Sequence, residues 1–519
     1  MTKQGFLYGT IILVGAGFIT KILGFVYRIA LSRIIGDEGM GLFQMVFPIL
    51  IFAVVVTTAG IPVAISKLVS EAEARGEEDR VPAILIVSIF IVLITSVIIA
   101  ISIFFGASKI AHVLLTDGRT IYALLAITPV IPIIAISSIF RGYFQGRQNM
   151  SPYAIAQIAE QTVRIFTVIF LAQYLLPFGI AYAAAGAMLG MVVGEFVGMI
   201  YIYICYRRDE KYVPLTLFQK PKHLMRSIKE VLRVSVPVTL SRIIGSLSYA
   251  LEPIVVAQSL ALAGIATSAA TALYGRLEGM AIPLIFFPTF ITYALTVSLV
   301  PAISEAAAQN QPKLIEHRLQ QAIRLSLLIG APCTAFILIL AEPLSILLYH
   351  KKELAHMIYI IAPVSFIHYL QGPFASVLQG LDKANIAMRN SIIGAVLKIP
   401  LIFLLASRPS LGINGVAIAI NIGIILVTGL HFISILKYVP ISLHLRPVSK
   451  LTFSVITMGS VAYYLIHKEG TPLLQKVFLT SISSFGIYFI CLLLFSLVRK
   501  TDVNRIPYVG KWIAKVLPS

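Results

Sequence analysis

Apolar runs long enough to cross a bilayer recur along almost the whole chain, and no other feature narrows the possible folds as sharply. The hydrocarbon core offers no water to backbone N–H and C=O groups, so a crossing segment must satisfy them internally. A helix does so with about 20 apolar residues. By that ruler about fourteen spans are expected. The first six lie near 6–35, 42–67, 82–107, 120–141, 153–176 and 179–206. Six more lie near 234–259, 273–304, 320–341, 355–380, 387–407 and 412–436, and a last pair near 451–467 and 474–498. The chain is 58% hydrophobic and 12% charged, where soluble domains carry about 25% charged residues. The expectation is an all-α polytopic membrane protein.

Charge placement sets the orientation. With the N-terminus cytoplasmic, most Lys and Arg fall in inside segments, as the positive-inside rule requires; both termini are then cytoplasmic. The net charge of +19 is thereby a matter of topology and of contact with anionic membrane lipids, and no nucleic-acid partner is expected. The largest contribution is the 207–233 connection, with Arg207, Arg208, Lys211, Lys220, Lys222, Arg226, Lys229 and Arg233. Within it Leu224, Ile228, Val231 and Leu232 recur at helical spacing, the pattern of an amphipathic helix on the cytoplasmic leaflet.

The first span carries Lys21, Arg28 and Arg33. A cation near the bilayer centre costs about 2.5–3.5 kcal/mol on insertion scales, and such residues usually face a bundle interior or a water-filled path. Lys21 and Arg28 are seven residues apart and share a helix face. Arg33 lies near the span's end, where snorkelling to the interface is an equal explanation.

An internal repeat organises the remainder. Thr20-Lys21-Ile22-Leu23-Gly24 resembles Ser241-Arg242-Ile243-Ile244-Gly245, and Pro62-Val63-Ala64-Ile65-Ser66 resembles Pro301-Ala302-Ile303-Ser304. Phe144-Gln145-Gly146 resembles Leu378-Gln379-Gly380, and Gly179-Ile180-Ala181 resembles Gly412-Ile413-Asn414. The matches keep their order at offsets of roughly 220–240 residues. Six spans per half is an even number, so both halves begin on one side of the membrane, and such parallel repeats place their ligand site at the interface between halves. The expected organisation is an N-lobe at 1–206, a basic linker at 207–233, a pseudo-symmetric C-lobe at 234–437, and an appendix of two helices with a tail at 438–519. Lys21 and Arg242 occupy equivalent positions, so they face each other across a central cavity, or else each pairs with a carboxylate such as Glu252 or Glu195.

Further ionisable residues sit inside spans: Glu160, Arg164, Glu195, Glu252, Arg276, Glu278 and Lys398. Glu160 and Arg164 are four apart and form an intrahelical pair by default. Arg276 precedes Pro283 and Pro288, which break a helix and open backbone around a cavity, so it is a candidate ligand-binding cation; Glu278, two residues on, points to another face. Arg forks and a Lys point charge suit a phosphate or diphosphate. The substrate-binding set is Lys21, Arg28, Arg276 and Arg242, with Arg33, Arg164, Glu195, Glu252, Glu278 and Lys398 as secondary candidates.

Enzyme signals are poor. The sequence has no GxxxxGK[ST] phosphate loop and no DxD pair. His112 and Asp117 fit a loose HxxxxD pattern without further catalytic partners. His350, His356, His368 and His431 lack metal-ligand spacing, and Cys205, Cys333 and Cys491 form no CxxC pair. No catalytic residue, metal or cofactor is expected.

Ile19-Thr20-Lys21-Ile22-Leu23-Gly24-Phe25 with Ser32-Arg33-Ile34-Ile35-Gly36 resembles the first-span signature of lipid II flippases and polysaccharide-export proteins, within the multidrug/oligosaccharidyl-lipid/polysaccharide exporter superfamily. Tyr274-Gly275-Arg276-Leu277 with Pro283, and Leu299-Val300-Pro301-Ala302-Ile303-Ser304, resemble that family's eighth span. The resemblance covers essentially the whole chain. It implies two six-helix lobes around a cationic cavity, spans thirteen and fourteen lining a groove for a lipid tail, and flipping of an undecaprenyl-diphosphate-linked peptidoglycan precursor, in the sporulation branch for spore cortex. Lys21, the Arg28 region and Arg276 correspond to the family's essential cations. This chain departs in having Lys21 where the flippases typically have Arg, and in having Arg28 where their next Arg aligns nearer Tyr27. Two other functions fit the residues: a cation-coupled multidrug exporter using Glu195 or Glu252, and a membrane scaffold for peptidoglycan synthases.

Overall fold

The computed structural model describes residues 6–58, 60–209, 221–440 and 445–497, apart from the side chains of a few residues within those ranges. Lys211, Lys220, the Lys222 side chain and the tail beyond 497 lie outside the described residues. All regular structure among the described residues is helical.

The first helix, α1 (Phe6–Thr58), has 53 residues. At 1.5 Å per residue it would run about 80 Å straight, more than twice the thickness of a hydrocarbon core. It does not run straight. Gly36 adopts φ 67° and ψ −171°, a break inside the helix in a region that L side chains avoid. The break separates the two predicted spans, and α2 (Ile61–Ala74) prolongs the second beyond Gly60. There follow α3 (Val81–Lys109), α4 (Thr120–Ile127), α5 (Val130–Gly146), α6 (Ser151–Leu175), α7 (Ile180–Arg207) and α8 (Pro221–Leu262).

The predicted eighth span is broken. It comprises α9 (Thr267–Tyr274), a π-helical segment Gly275–Ala281, α10 (Ile282–Phe286) and α11 (Thr289–Ala308). Pro283 sits in the first turn of α10 and Pro288 just ahead of α11, where the missing N–H costs no hydrogen bond. Then come α12 (Pro312–Ile339), α13 (Ala341–Tyr349), α14 (Leu354–Gly380), α15 (Ala384–Ala406), α16 (Ile413–Leu436), α17 (Leu445–His467) and α18 (Leu473–Leu494). Eleven helical stretches among the described residues are long and apolar enough to cross a membrane. Counting the two arms of the first separately, and adding the broken eighth span and α17, helices stand at every predicted position.

One compact unit gathers residues 1–280 and 395–419; the other gathers 281–394 and 420–519. The first therefore holds α8 and α9 together with the six N-terminal spans. Its core runs through Ile65, Ile84, Phe140, Tyr143 and Tyr206. Leu224, Ile228 and Val231 pack onto this core, so the apolar stripe read as facing lipid is covered by the protein, while Met225 and Leu232 stay exposed. The buried guanidinium of Arg80 pins the start of α8 by pairing with Glu230 and, at 3.0 Å, with Glu77. The second unit is built around Ile303, Leu319, Val377 and Leu378. There α17 and α18 meet α12 through Leu328, Leu451, Met458 and Tyr488.

Near the Gly36 break, α1 and α9 approach at backbone distance. A Cβ on Gly41 would stand 1.9 Å from the Thr271 carbonyl oxygen, and one on Gly275 2.0 Å from that of Asp37. Beside this contact Arg119 reaches Glu38 at 2.6 Å and Asp117 at 2.7 Å. The Thr271 hydroxyl donates to Asp117 at 2.7 Å. Asp117 is 3% exposed. Burial alone raises its pKa, but the hydrogen bonds from Arg119 and Thr271 outweigh burial and leave it lowered. His112, the other half of the HxxxxD pattern, packs its ring against Gly118, so the pair is part of a structural corner.

Two outcomes follow. Gly41→Ala and Gly275→Ala each destabilise the protein by about 1–3 kcal/mol, the usual cost of overpacking; thermal unfolding in detergent shows both, while Gly245→Ala, with nothing within 4 Å of the added carbon, leaves the midpoint in place. Asp117→Asn costs about 1–3 kcal/mol at neutral pH, because buried donors lose their acceptor. A carboxyl with a lowered folded pKa contributes stability that is present above its unfolded value, near 4, and lost as pH falls through the folded value. The stability gap between wild type and Asp117→Asn, read as unfolding midpoints across a pH series, therefore stays constant from pH 7 to 5 and narrows below about 4.

Candidate functional site

The first arm of α1 presents Lys21 and Arg28 along one stripe, with Arg33 on another face. Lys21 and Arg28 are two turns apart, with Gly24 between them at 3.6 Å, measured from an added Cβ, from the Gln161 amide nitrogen of α6. Lys21 is exposed, Arg28 half-buried and Arg33 exposed. Arg242, the repeat partner of Lys21, is exposed on α8. The two carboxylates suggested as alternative partners for this pair are engaged with other cations.

Glu195, on α7, belongs to a four-member cluster. Arg164 binds Glu195 at 2.7 Å and also pairs with Glu160, the intrahelical partner expected from the sequence. Arg141, at the end of α5, reaches Glu160 at 3.1 Å and Glu195 at 3.5 Å. Two cations and two carboxylates cancel, which makes this a neutral clamp between α5, α6 and α7. Arg141 escaped the sequence reading. Its position after the apolar Ile139-Phe140 pair is the signal that could have marked it.

Glu252, on α8, is 4% exposed and takes Lys398 of α15 at 2.5 Å. Glu278 interacts electrostatically with Glu252, Lys398 and Arg28. The tyrosines Tyr249 and Tyr274 flank the same carboxylates. The π-helical segment places Glu278 here: wider turns leave carbonyl groups to find other partners, and the Glu278 carbonyl accepts from the Gln44 side chain at 2.8 Å. Gln44 is 4% exposed, and its side-chain oxygen has no hydrogen-bond partner among the described residues.

Arg276, two residues earlier, points elsewhere. Its Nε donates to Asp37 Oδ2 at 2.6 Å. Asp37 follows the Gly36 break, so Arg276 ties the corner of α1 to the π-helical segment. The structure thus separates the predicted cations into two environments. Lys21, Arg28 and Arg242 project from α1 and α8, with Arg28 beside the Glu252–Glu278–Lys398 group. Arg276 belongs to the corner with Asp37, Glu38, Arg119 and Asp117. No group of three or more His, Cys, Asp or Glu residues is placed to hold a metal among the described residues.

Residues 6–307 match the model of a family described as polysaccharide biosynthesis protein, and residues 257–404 match the MatE model. Stage V sporulation protein B of Bacillus subtilis (strain 168) is 46% identical over 99% of this chain and 100% of its own length. Lipid II flippase MurJ of the same organism is 25% identical over 83% of this chain and 81% of its own. Among solved structures, the lipid II flippase MurJ in an inward closed conformation superposes with a TM-score of 0.71 at 15% identity, covering 95% of this chain and all of that one. An inward-facing multidrug resistance MATE family transporter of the MOP superfamily gives a TM-score of 0.62 at 17% identity, covering 80% and 93%. At these identities the two structures establish a shared fold. With its first 300 residues matched by the family model and a full-length relative near half identity, this chain is a multi-pass membrane protein of the polysaccharide biosynthesis protein family.

Proposed function

We propose that the protein is a flippase that moves an undecaprenyl-diphosphate-linked saccharide, a peptidoglycan precursor of the lipid II type, across the cell membrane by alternating access, in the service of spore cortex synthesis. The observation that carries this reading is the exposure of Lys21 and Arg242 at equivalent positions of two membrane helices. An ammonium or guanidinium facing hydrocarbon at that depth is costly, so the side chains must look onto a polar path. Cations along such a path suit an anion, and a diphosphate carries about two charges for them to share.

In this reading Lys21, Arg28 and Arg242 receive the diphosphate. Arg276 joins them on exchanging Asp37 for a phosphate oxygen. The isoprenoid tail stays in lipid while the headgroup crosses. The N-terminus is cytoplasmic, and the exposed Arg226, Lys229 and Arg233 with Met225 and Leu232 lie against anionic headgroups of the same leaflet. A role for the membrane potential follows, because the bound anion and its cations move within the field.

A cation-coupled drug exporter has the MatE match in its favour. Against it, the two carboxylates that the sequence assigns to that reading are already paired, Glu195 with Arg164 and Arg141, and Glu252 with Lys398.

Reconstitution into vesicles with a fluorescent lipid-linked disaccharide tests the reading. Wild type renders the inner-leaflet lipid accessible from outside. Lys21→Ala, Arg28→Ala and Arg242→Ala each slow this by roughly 10- to 100-fold, the equivalent of losing one charge-assisted hydrogen bond of about 1.5–3 kcal/mol. Unchanged rates in all three variants, or efflux of cationic drugs in place of lipid flipping, contradict it. A protein that only recruits synthases would flip nothing and tolerate every cation substitution.

A further inference from the structure

We infer that Gln161 of α6 is a further ligand-contacting residue, donating its amide N–H to an oxygen of the bound diphosphate in the gap over Gly24, between Lys21 and Arg28. This rests on the flippase reading and adds a neutral donor to its cations.

Chemistry settles which way the amide points. A glutamine side chain ends in one acceptor oxygen and one donor nitrogen, and a guanidinium has donors only. Arg164 brings Nη1 to the Gln161 side chain at 3.2 Å, so the atom that meets it is the oxygen. Arg164 is itself fixed by two carboxylates: its Nη2 pairs with Glu160 and, at 2.7 Å, with Glu195. Those carboxylates also hold Arg141, at 3.1 and 3.5 Å. The orientation of Gln161 is therefore set by ion pairs that join α5, α6 and α7.

With the oxygen committed, the amide nitrogen turns to α1. It lies 3.6 Å from the point where a Cβ on Gly24 would stand. Gln161 is 6% exposed, and no described hydrogen bond engages this nitrogen. A buried donor left without a partner costs free energy, and a ligand oxygen at this place removes the cost. Gly24 keeps the place open, because a side chain there would stand against the amide. Lys21 lies three residues before Gly24 and Arg28 four after it, so all three share one side of the helix. The two cations are about 10 Å apart along the axis, which leaves the middle of their stripe without a charge. Lys and Arg reach a diphosphate from its two ends on long side chains, and Gln161 supplies the donor between them. The neighbouring Glu160 and Glu195 do not repel the anion, since Arg141 and Arg164 cancel their charge.

The experiment is binding of undecaprenyl diphosphate to the purified protein in detergent, with thermal unfolding as the control for the fold. Q161M, which keeps the length of the side chain and loses the donor, weakens binding by about 10- to 100-fold, the loss of one hydrogen bond to a charged group. Q161E keeps an oxygen towards Arg164 and puts a second oxygen where the donor was, and it weakens binding at least as much. A glutamine that only supports packing gives the opposite pattern: Q161M lowers the unfolding midpoint and binds as wild type does. Unchanged affinity in the Gln161 variants overturns this inference and leaves the flippase reading standing; a wild type that binds no undecaprenyl diphosphate overturns both. Should the Gln161 variants fail to fold, Gly24→Leu decides. It leaves Gln161 in place, favours the helix and sets an apolar side chain against the amide. It must weaken binding by a comparable factor, and wild-type affinity in Gly24→Leu overturns the inference.

Discussion

Charge inside a bilayer has to be answered, and the described part of this molecule is arranged around the answers. An isolated ion loses its hydration there, and the interior returns that loss only where a partner stands close and the remaining hydrogen bonds are made. Glu160 and Glu195 are answered by Arg141 and Arg164, Glu252 by Lys398, and Asp37 by Arg276. Each of these pairings joins residues of different helical segments. Breaking any one of them exposes a lone charge, so these pairs lock helix neighbours together more than they add net stability.

Lys21 and Arg242 stand exposed on membrane helices, and Arg28 is half-buried on the stripe that carries Lys21. The break at Gly36 and the π-helical segment 275–281 instead shape the surroundings of Arg276. One turns α1 so that Asp37 meets Arg276, and the other sends Arg276 and Glu278 to different surroundings although they are two residues apart.

Much of this was legible in the sequence. Hydropathy located the helices, the prolines at 283 and 288 marked the broken span, and four-residue spacing gave the Glu160–Arg164 pair. The interhelical pairs were not legible. Asp37 and Arg276 are 239 residues apart and Glu252 and Lys398 are 146 apart; helical periodicity says which face a residue occupies but not which helix adjoins that face. The covered stripe at Leu224, Ile228 and Val231 shows the same limit. An amphipathic pattern is equally satisfied by lipid and by a protein core, and here the core of α2 and α3 takes it. The engagement of Arg276 with Asp37 depends on the turn at Gly36, which no local pattern connects to it.

The central claim, that Lys21 and Arg242 act on one bound diphosphate, is tested most directly by a double-mutant cycle on the binding of undecaprenyl diphosphate to the purified protein, using Lys21→Met and Arg242→Met. Two cations that share a ligand are energetically coupled, and the account predicts an interaction term of about 0.5–3 kcal/mol. Strictly additive losses, within about 0.3–0.5 kcal/mol, or no loss of affinity in either single variant, would contradict it.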